Sequence, residues 1–196
     1  MPRVQEFERD AVVRAARGVF WEQGFENASI PALERATGLS RSSLYNEFGS
    51  KRGLFDAAVQ SYLEEVLRPR LAALQTDPVN ASALGDYLES LEELFADPDS
   101  LPTANGCLLI NTAGAPMGHD EHIAEVIGGY RDELYAAVLR GVCASRPEVE
   151  ERCSLRMAEA ITGLIIAAYA LIRITPAQAQ ALLRTARELL VELSGR

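Results

Sequence analysis

Between Ser29 and Arg52 the chain sets serine, arginine, tyrosine, asparagine and lysine side chains at spacings suited to holding a phosphodiester backbone and reading base edges. Arg41 brings a planar guanidinium whose paired donors match guanine O6 and N7. Ser42, Ser43 and Asn46 have the length for base edges or phosphate oxygens, and Tyr45 can pack on a sugar while its hydroxyl donates to a phosphate. Lys51 and Ser29 each stand at the start of a segment with helical periodicity, where free backbone N–H groups and the positive end of the helix dipole favour an anion. Lys51 therefore reads as a phosphate clamp and Ser29 as a second phosphate holder. Any one of these residues is equally well a helix cap or a solvated side chain; the ordered combination carries the reading.

The elements that position them are helices. Nearly every segment shows the 3.6-residue period and no alternating β-branched run is bounded by turns, so the fold class is all-α with about nine helices. Val12, Ala15, Val19 and Phe20 line a first helix expected to stop at Gly24, with Phe25 folding back on its last turn. A short helix over 30–37 follows, capped by Ser29 and with Pro31 in its first turn. Gly38-Leu39-Ser40 then turns the chain into a second short helix over 41–48. Two short helices joined by a three-residue turn containing Gly form a helix-turn-helix, whose second helix lies in the major groove. Leu44 and Phe48, four apart, anchor that helix inward with Ile30, Leu33 and Leu39, which leaves Ser42, Tyr45 and Asn46 outward. Gly49-Ser50 ends it and caps a long helix expected from Lys51 to about Leu74, the link between a head (1–50) and a body (51–196). Proline-marked breaks delimit five further helices near 79–96, 105–114, 120–144, 148–174 and 177–193.

Composition and charge fit this division. The net charge of −9 looks unfavourable for a polyanion partner, but residues 1–70 carry ten basic and ten acidic residues, so all of the excess lies beyond them. From Arg35 to Arg52 four cations face Glu47 alone, and salt screens the acidic body beyond roughly 8 Å. The N-terminus lacks the apolar run of a signal peptide and the run from Ala160 to Ile172 is short for a bilayer, so a cytoplasmic protein without membrane partners is expected. Cys107, Cys143 and Cys153 have neither pairing number nor metal spacing, His119 and His122 stand without a ligand set, and nothing asks for a metal or cofactor. There is no nucleophile elbow, HExxH, P-loop or dinucleotide fingerprint to suggest an enzyme.

The body offers a partner face and a pocket. LRMAEAITGLIIAAYALI, from Leu155 to Ile172, is apolar nearly all round, and its small residues Ala160, Gly163, Ala167 and Ala168, with Leu164 and Leu171 beside them, permit close approach of another helix. With Leu182, Ala186, Leu189 and Leu190 on the last helix they suggest a four-helix homodimer interface, the alternative being an internal core. Cys107 and Asn111, four apart, are expected to look into one cavity together, with Phe95, Leu109, Met117, His122, Tyr130 and Tyr169 as further lining; plain core packing is the alternative for each.

The string from Gly24 to Ile30, and then Ala-Thr-Gly-Leu-Ser-Arg-Ser-Ser-Leu-Tyr-Asn-Glu-Phe-Gly-Ser-Lys-Arg-Gly-Leu-Phe from Ala36 to Phe55, closely resembles the N-terminal signature of the TetR/AcrR family of repressors over about residues 8–58. The resemblance implies nine or ten helices, a homodimer whose heads meet adjacent major grooves of a palindromic double-stranded DNA operator, and release of DNA when a small apolar or amphipathic effector enters the body. Carried over by motif position, Ser29, Arg41, Ser42, Ser43, Tyr45, Asn46 and Lys51 touch DNA. Asn105 to Thr112 resembles a segment that in one branch of the family lies beside the ligand cavity. Where members often place a polar base-reading residue two positions after the cap of the second helix, this chain has Pro31, which shifts readout onto the third helix. A second reading makes Cys107 the reactive thiol of a redox or electrophile sensor, although no basic residue flanks it in sequence.

Overall fold

The computed structural model describes residues 2–192, with side chains from 9 to 191. Helix α1 (Pro2–Asn27) is broken at Gly24, the expected stop: the glycine leaves helical backbone with a positive φ of 75°, and a short helical piece then continues to Asn27. Phe25 does fold back, stacking on Phe20 at 6.3 Å and meeting Phe55 edge-on at 5.1 Å. The short helices α2 (Ile30–Thr37) and α3 (Arg41–Phe48) match their sequence boundaries, because both caps do what their residue types predict. Ser29 accepts from the Ala32 N–H and Ser40 from the Ser43 N–H, while Gly38 closes α2 in the left-handed region.

Helix α4 (Lys51–Tyr62) is capped by Ser50, whose hydroxyl accepts from the Gly53 N–H. It runs on as expected towards Leu74, though not as regular helix: a π-helical turn (Leu63–Leu67), α5 (Arg68–Leu71) and a 3-10 turn (Ala72–Leu74) follow without a break. Pro69 is the physical reason, since it has no N–H for the Glu65 carbonyl and the ladder must adjust one turn earlier.

The body comprises α6 (Ala83–Ala96), α7 (Leu101–Asn105), α8 (Leu108–Ala113), a 3-10 turn (Pro116–His119), α9 (Glu121–Ser145), α10 (Glu151–Leu171) and α11 (Pro176–Glu192). The single helix expected near 105–114 is broken at Gly106, whose φ of 71° suits glycine and whose missing Cβ makes room for Arg173 Cδ and Asn111 Oδ1 at 3.0 and 3.2 Å. No strand occurs among the described residues. α10 is long and apolar enough to cross a membrane by length and composition, and its inward face packs between α9 and α11, which in turn lies on α6.

One core runs through head and body. In the head, Phe20, Leu33, Leu44, Leu54 and Phe55 are buried, with Phe20 and Phe55 edge-to-face at 5.1 Å. In the body, Leu84, Leu88, Phe95, Ile161, Ile165, Leu183 and Ala186 fill the space among α6, α9, α10 and α11. Head and body are tied at defined points. Trp21, the chain's single tryptophan, donates its indole N–H to the Gly106 carbonyl at 2.9 Å and packs edge-on against Tyr62 at 4.8 Å. The Met117 N–H donates to Glu26 Oε1 at 3.0 Å, and Arg52 clasps Asp120 with two donors, both at 2.7 Å.

Candidate functional site

The head presents α3 as an outward rod. Leu44 is buried beneath it, and Phe48 is half-buried under the Arg9 guanidinium, which also pairs with Glu47 at 3.0 Å. A second clamp fixes α3 against α2, where the Arg41 N–H donates to Glu34 Oε1 at 2.6 Å. With those anchors made, Arg41, Ser42, Ser43 and Asn46 are exposed and Tyr45 is half-exposed, the distribution expected of a helix that meets a partner along one face. Arg41 lies over the Tyr45 ring at 5.2 Å, a contact that stiffens a flexible cation at the point from which it must reach. The Ser42 and Ser43 hydroxyls share hydrogen bonds with Ser40 at 2.9 and 3.0 Å.

The two residues expected to hold phosphates differ. Ser29 is exposed at the start of α2, its hydroxyl already engaged as the cap. Lys51 is half-buried rather than extended: its ammonium sits 4.6 Å from the centre of the Phe25 ring and 3.4 Å from the Glu26 carbonyl, and desolvation lowers its pKa. To clamp a phosphate it must swing off that shelf. Arg52, beside it, is committed to the body through Asp120 and to its own helix through Asp56 at 2.7 Å.

The sequence-predicted pocket residues divide into three places. Cys107, Leu109, Tyr130 and Tyr169 line one interior cavity of about 180 Å³, together with Leu67, Leu134 and Ile165. Asn111 does not join Cys107 there. Cys107 has extended backbone (φ −104°, ψ 125°) at the entrance to α8, so helical spacing does not hold between the two, and Asn111 turns into a groove between head and body that Met117 and Arg173 also line. The Asn111 amide donates to the Asn105 carbonyl at 2.7 Å. Phe95 is packed behind the cavity wall against Tyr169 at 5.0 Å, and His122 is exposed, one position off the inward face of α9. Burial pushes the Cys107 thiol pKa up, so it stays protonated at neutral pH and is a poor nucleophile. Among the described residues no group of three His, Cys, Asp or Glu side chains gathers to hold a metal.

The expected partner face is also split. Ala160 and Gly163 are exposed and Leu164, Ala167, Leu171, Leu182 and Leu189 half-exposed, forming one apolar strip on α10 and α11. Ala186 and Leu190 are instead buried in the chain's own core, on the opposite face of α11 with Ala179 and Leu183.

Sequence reasoning missed the residues that connect these places. Leu67, on the rod that leaves the head, lines the cavity, and Tyr62 on the same rod reaches both Trp21 and the surroundings of Cys107. Asp120 caps α9 through the Ile123 N–H at 3.1 Å while holding Arg52, so one carboxylate joins the start of α4 to the helix carrying Tyr130. The Arg52 hydrogen bonds hold its pKa well below the usual carboxylate range, with the α9 N–H groups adding to the effect. A depressed carboxylate stabilises the fold above its unfolded pKa of about 4 and loses that contribution as pH falls below it. Denaturation followed by Trp21 emission is therefore expected to weaken below about pH 4, and Asp120→Asn to lower the neutral-pH midpoint and flatten that acid dependence. An unchanged midpoint and acid profile would show that the latch contributes nothing.

Residues 12–58 match the family model described as bacterial regulatory proteins, tetR family. The chain is 31% identical over 150 residues to the uncharacterised HTH-type transcriptional regulator YezE of Bacillus subtilis, covering 76% of each chain. It is 29% identical over 167 residues to the HTH-type transcriptional repressor ComR of Escherichia coli, covering 83% of this chain and 78% of that one. Among solved structures it resembles a cysteine-substituted form of the TetR family transcriptional regulator CifR in complex with 26-base-pair operator DNA, at a TM-score of 0.75 and 24% identity over 92% of this chain and 95% of that one. A TetR transcriptional regulator from Chloroflexus aurantiacus aligns at a TM-score of 0.70 and 26% identity, covering 100% and 98%.

Proposed function

Starting from the fact that the chain belongs to the TetR family of bacterial regulatory proteins, whose members are regulators and not enzymes, we propose that it is a transcriptional repressor that binds a palindromic DNA operator as a homodimer. It is released by a small apolar or amphipathic molecule entering the cavity bounded by Cys107, Tyr130 and Tyr169. The observation that carries the DNA reading is α3 itself. Every polar side chain from Arg41 to Asn46 is left outward by a helix whose apolar residues are anchored beneath it. An outward polar rod of two turns, with Arg41 braced on Tyr45, has the shape and donors for a major groove. The ComR name and the CifR–operator complex support the same reading.

Roles follow from position. Arg41 and Asn46 read base edges, Ser42, Ser43 and Tyr45 hold backbone or base edges beside them, and Ser29 and Lys51 hold phosphates at two helix N-termini. Release requires that the effector favour a head spacing that no longer fits both half-sites. The path for that bias is short: Leu67 is in the cavity wall, Tyr62 lies one turn nearer the head on the same rod, and Trp21 couples it to α1.

The test is a salt series on the DNA beside the protein's own coding region, where an inverted repeat is expected to supply the operator. Lys51→Ala is expected to weaken binding across sequences and shallow the slope of log affinity against log salt by about one. Arg41→Ala is expected to cost about 1–3 kcal/mol and to relax preference at one base pair of each half-site. Equal effects of both variants on slope and on sequence preference would overturn the assignment of roles.

A further inference from the structure

Arg70, on α5, is half-buried and makes neither an ion pair nor a hydrogen bond among the described residues. Arg17, Arg52, Arg68, Arg131, Arg146 and Arg187 are also half-buried or buried, and a carboxylate or a backbone carbonyl holds each of them. Charges withdrawn from water are ordinarily paired, so a guanidinium with five donors and no protein acceptor is the exception that asks for a partner. It stands between two environments. Inward, burial raises the pKa of Tyr87 and Tyr169, and the Arg70 charge works against that rise at both. Outward, Arg70 lines a groove of about 430 Å³ where α1, the rod and α7 meet.

The rest of that groove fixes what the partner must look like. Trp21, Val66, Pro69, Leu101 and Pro102 make its walls apolar, and Leu101 is 59% exposed at the rim with nothing of this chain covering it. Two other charged groups line the groove, Arg17 and Glu65, and they pair with each other at 3.0 Å. Arg70 therefore supplies the one uncompensated charge among the lining groups, and it is positive. Its planar fork matches a carboxylate with two parallel hydrogen bonds. The groove shares no lining residue with the Cys107 cavity, and its walls come from head, rod and body together.

From these observations we infer that the groove is a second small-molecule site, for an organic monoanion whose carboxylate pairs with Arg70 and whose apolar part lies between Pro69 and Leu101. Four probes separate the terms. Octanoate has chain and carboxylate, octanamide the chain without the charge, octylammonium the opposite charge, and acetate the carboxylate without the chain. Each is titrated into the full-length protein without DNA, followed by calorimetry and by the emission of Trp21, the single tryptophan, so failure here leaves the repressor reading untouched. Octanoate is expected to bind at least tenfold more tightly than octanamide or acetate, to shift Trp21 emission with the same affinity, and octylammonium is expected not to bind. Arg70→Gln is expected to weaken octanoate at least tenfold and leave octanamide unchanged, while Leu101→Ser weakens both about three- to tenfold. Because Arg70 has no protein partner to lose, the unliganded Arg70→Gln protein is expected to melt where the parent does. A lowered midpoint would show that Arg70 holds the fold and would overturn the assignment. So would octanamide or octylammonium binding as tightly as octanoate, octanoate binding that ignores both variants, or calorimetric binding that leaves Trp21 emission unchanged.

Discussion

Gly163→Arg is expected to yield a folded monomer that has lost about a hundredfold or more of its operator affinity. In the isolated chain Gly163 lies exposed on α10, and a Cβ built on it meets nothing within 4 Å. The substitution therefore leaves the chain's own fold untouched. It places a charge in the middle of the strip made by Ala160, Leu164, Ala167 and Leu171 with Leu182 and Leu189, the face on which the proposed homodimer brings a second copy close. A dimer holds two heads on two half-sites, and the second engages at a local concentration that raises overall affinity by about 10² to 10⁴. Sedimentation and an operator titration on the same sample check both halves of the expectation. A variant that stays dimeric, or a monomer that binds as tightly as the parent, contradicts the placement of the interface.

Gly53→Ala is expected to disable the head from within. Gly53 is in the first turn of α4, and an added Cβ falls 2.1 Å from the Phe48 carbonyl oxygen and 3.3 Å from its carbon. Those are backbone atoms at the end of α3, so no rotamer change relieves the overlap, and the end of α3 has to move. Forced overpacking of this kind costs about 1–3 kcal/mol, and a backbone clash belongs at the upper end. The affected joint sets the angle at which Arg41, Tyr45 and Asn46 leave the surface, so operator affinity is expected to drop about 10- to 100-fold alongside that loss of stability. Gly18→Ala, exposed on α1 with open space around the added methyl, is the control; it is expected to be neutral or to stabilise by up to about 1 kcal/mol. Equal behaviour of the two variants would show that close approach at Gly53 is not needed.

The head was legible because its signals are local. Ser29, Ser40 and Ser50 cap the helices their positions announce, and Gly38 ends α2 as a left-handed glycine should. Periodicity also separated Leu44, buried, from Asn46, exposed. The body was legible in helix type and approximate length, but its site depends on contacts between distant segments. The Cys107–Asn111 pairing failed because four-residue spacing places two side chains on one face only when both are helical, and Cys107 is not. His122 failed for a reason available in the sequence: Ile123, Ile127, Tyr130 and Leu134 step along the inward face of α9, and His122 stands one residue off that row. On α11 the row 179, 183, 186 and 190 packs inward and Leu182 with Leu189 faces out, a division that composition alone does not reveal when both faces are apolar. The latch of Arg52 on Asp120 and the meeting of Tyr62 with Trp21 join residues 68 and 41 positions apart, and no local pattern announces either.

The central claim is that two copies of α3 occupy successive grooves of one duplex. Hydroxyl-radical footprinting of the purified protein on the DNA flanking its own coding region tests this most directly. Two protected half-sites related by two-fold symmetry, centred about one helical turn or a whole number of turns apart, are the predicted result, with protection at both lost together in Gly163→Arg. A uniform absence of protection in dilute salt, or a single protected site bound by a monomer, would contradict the account.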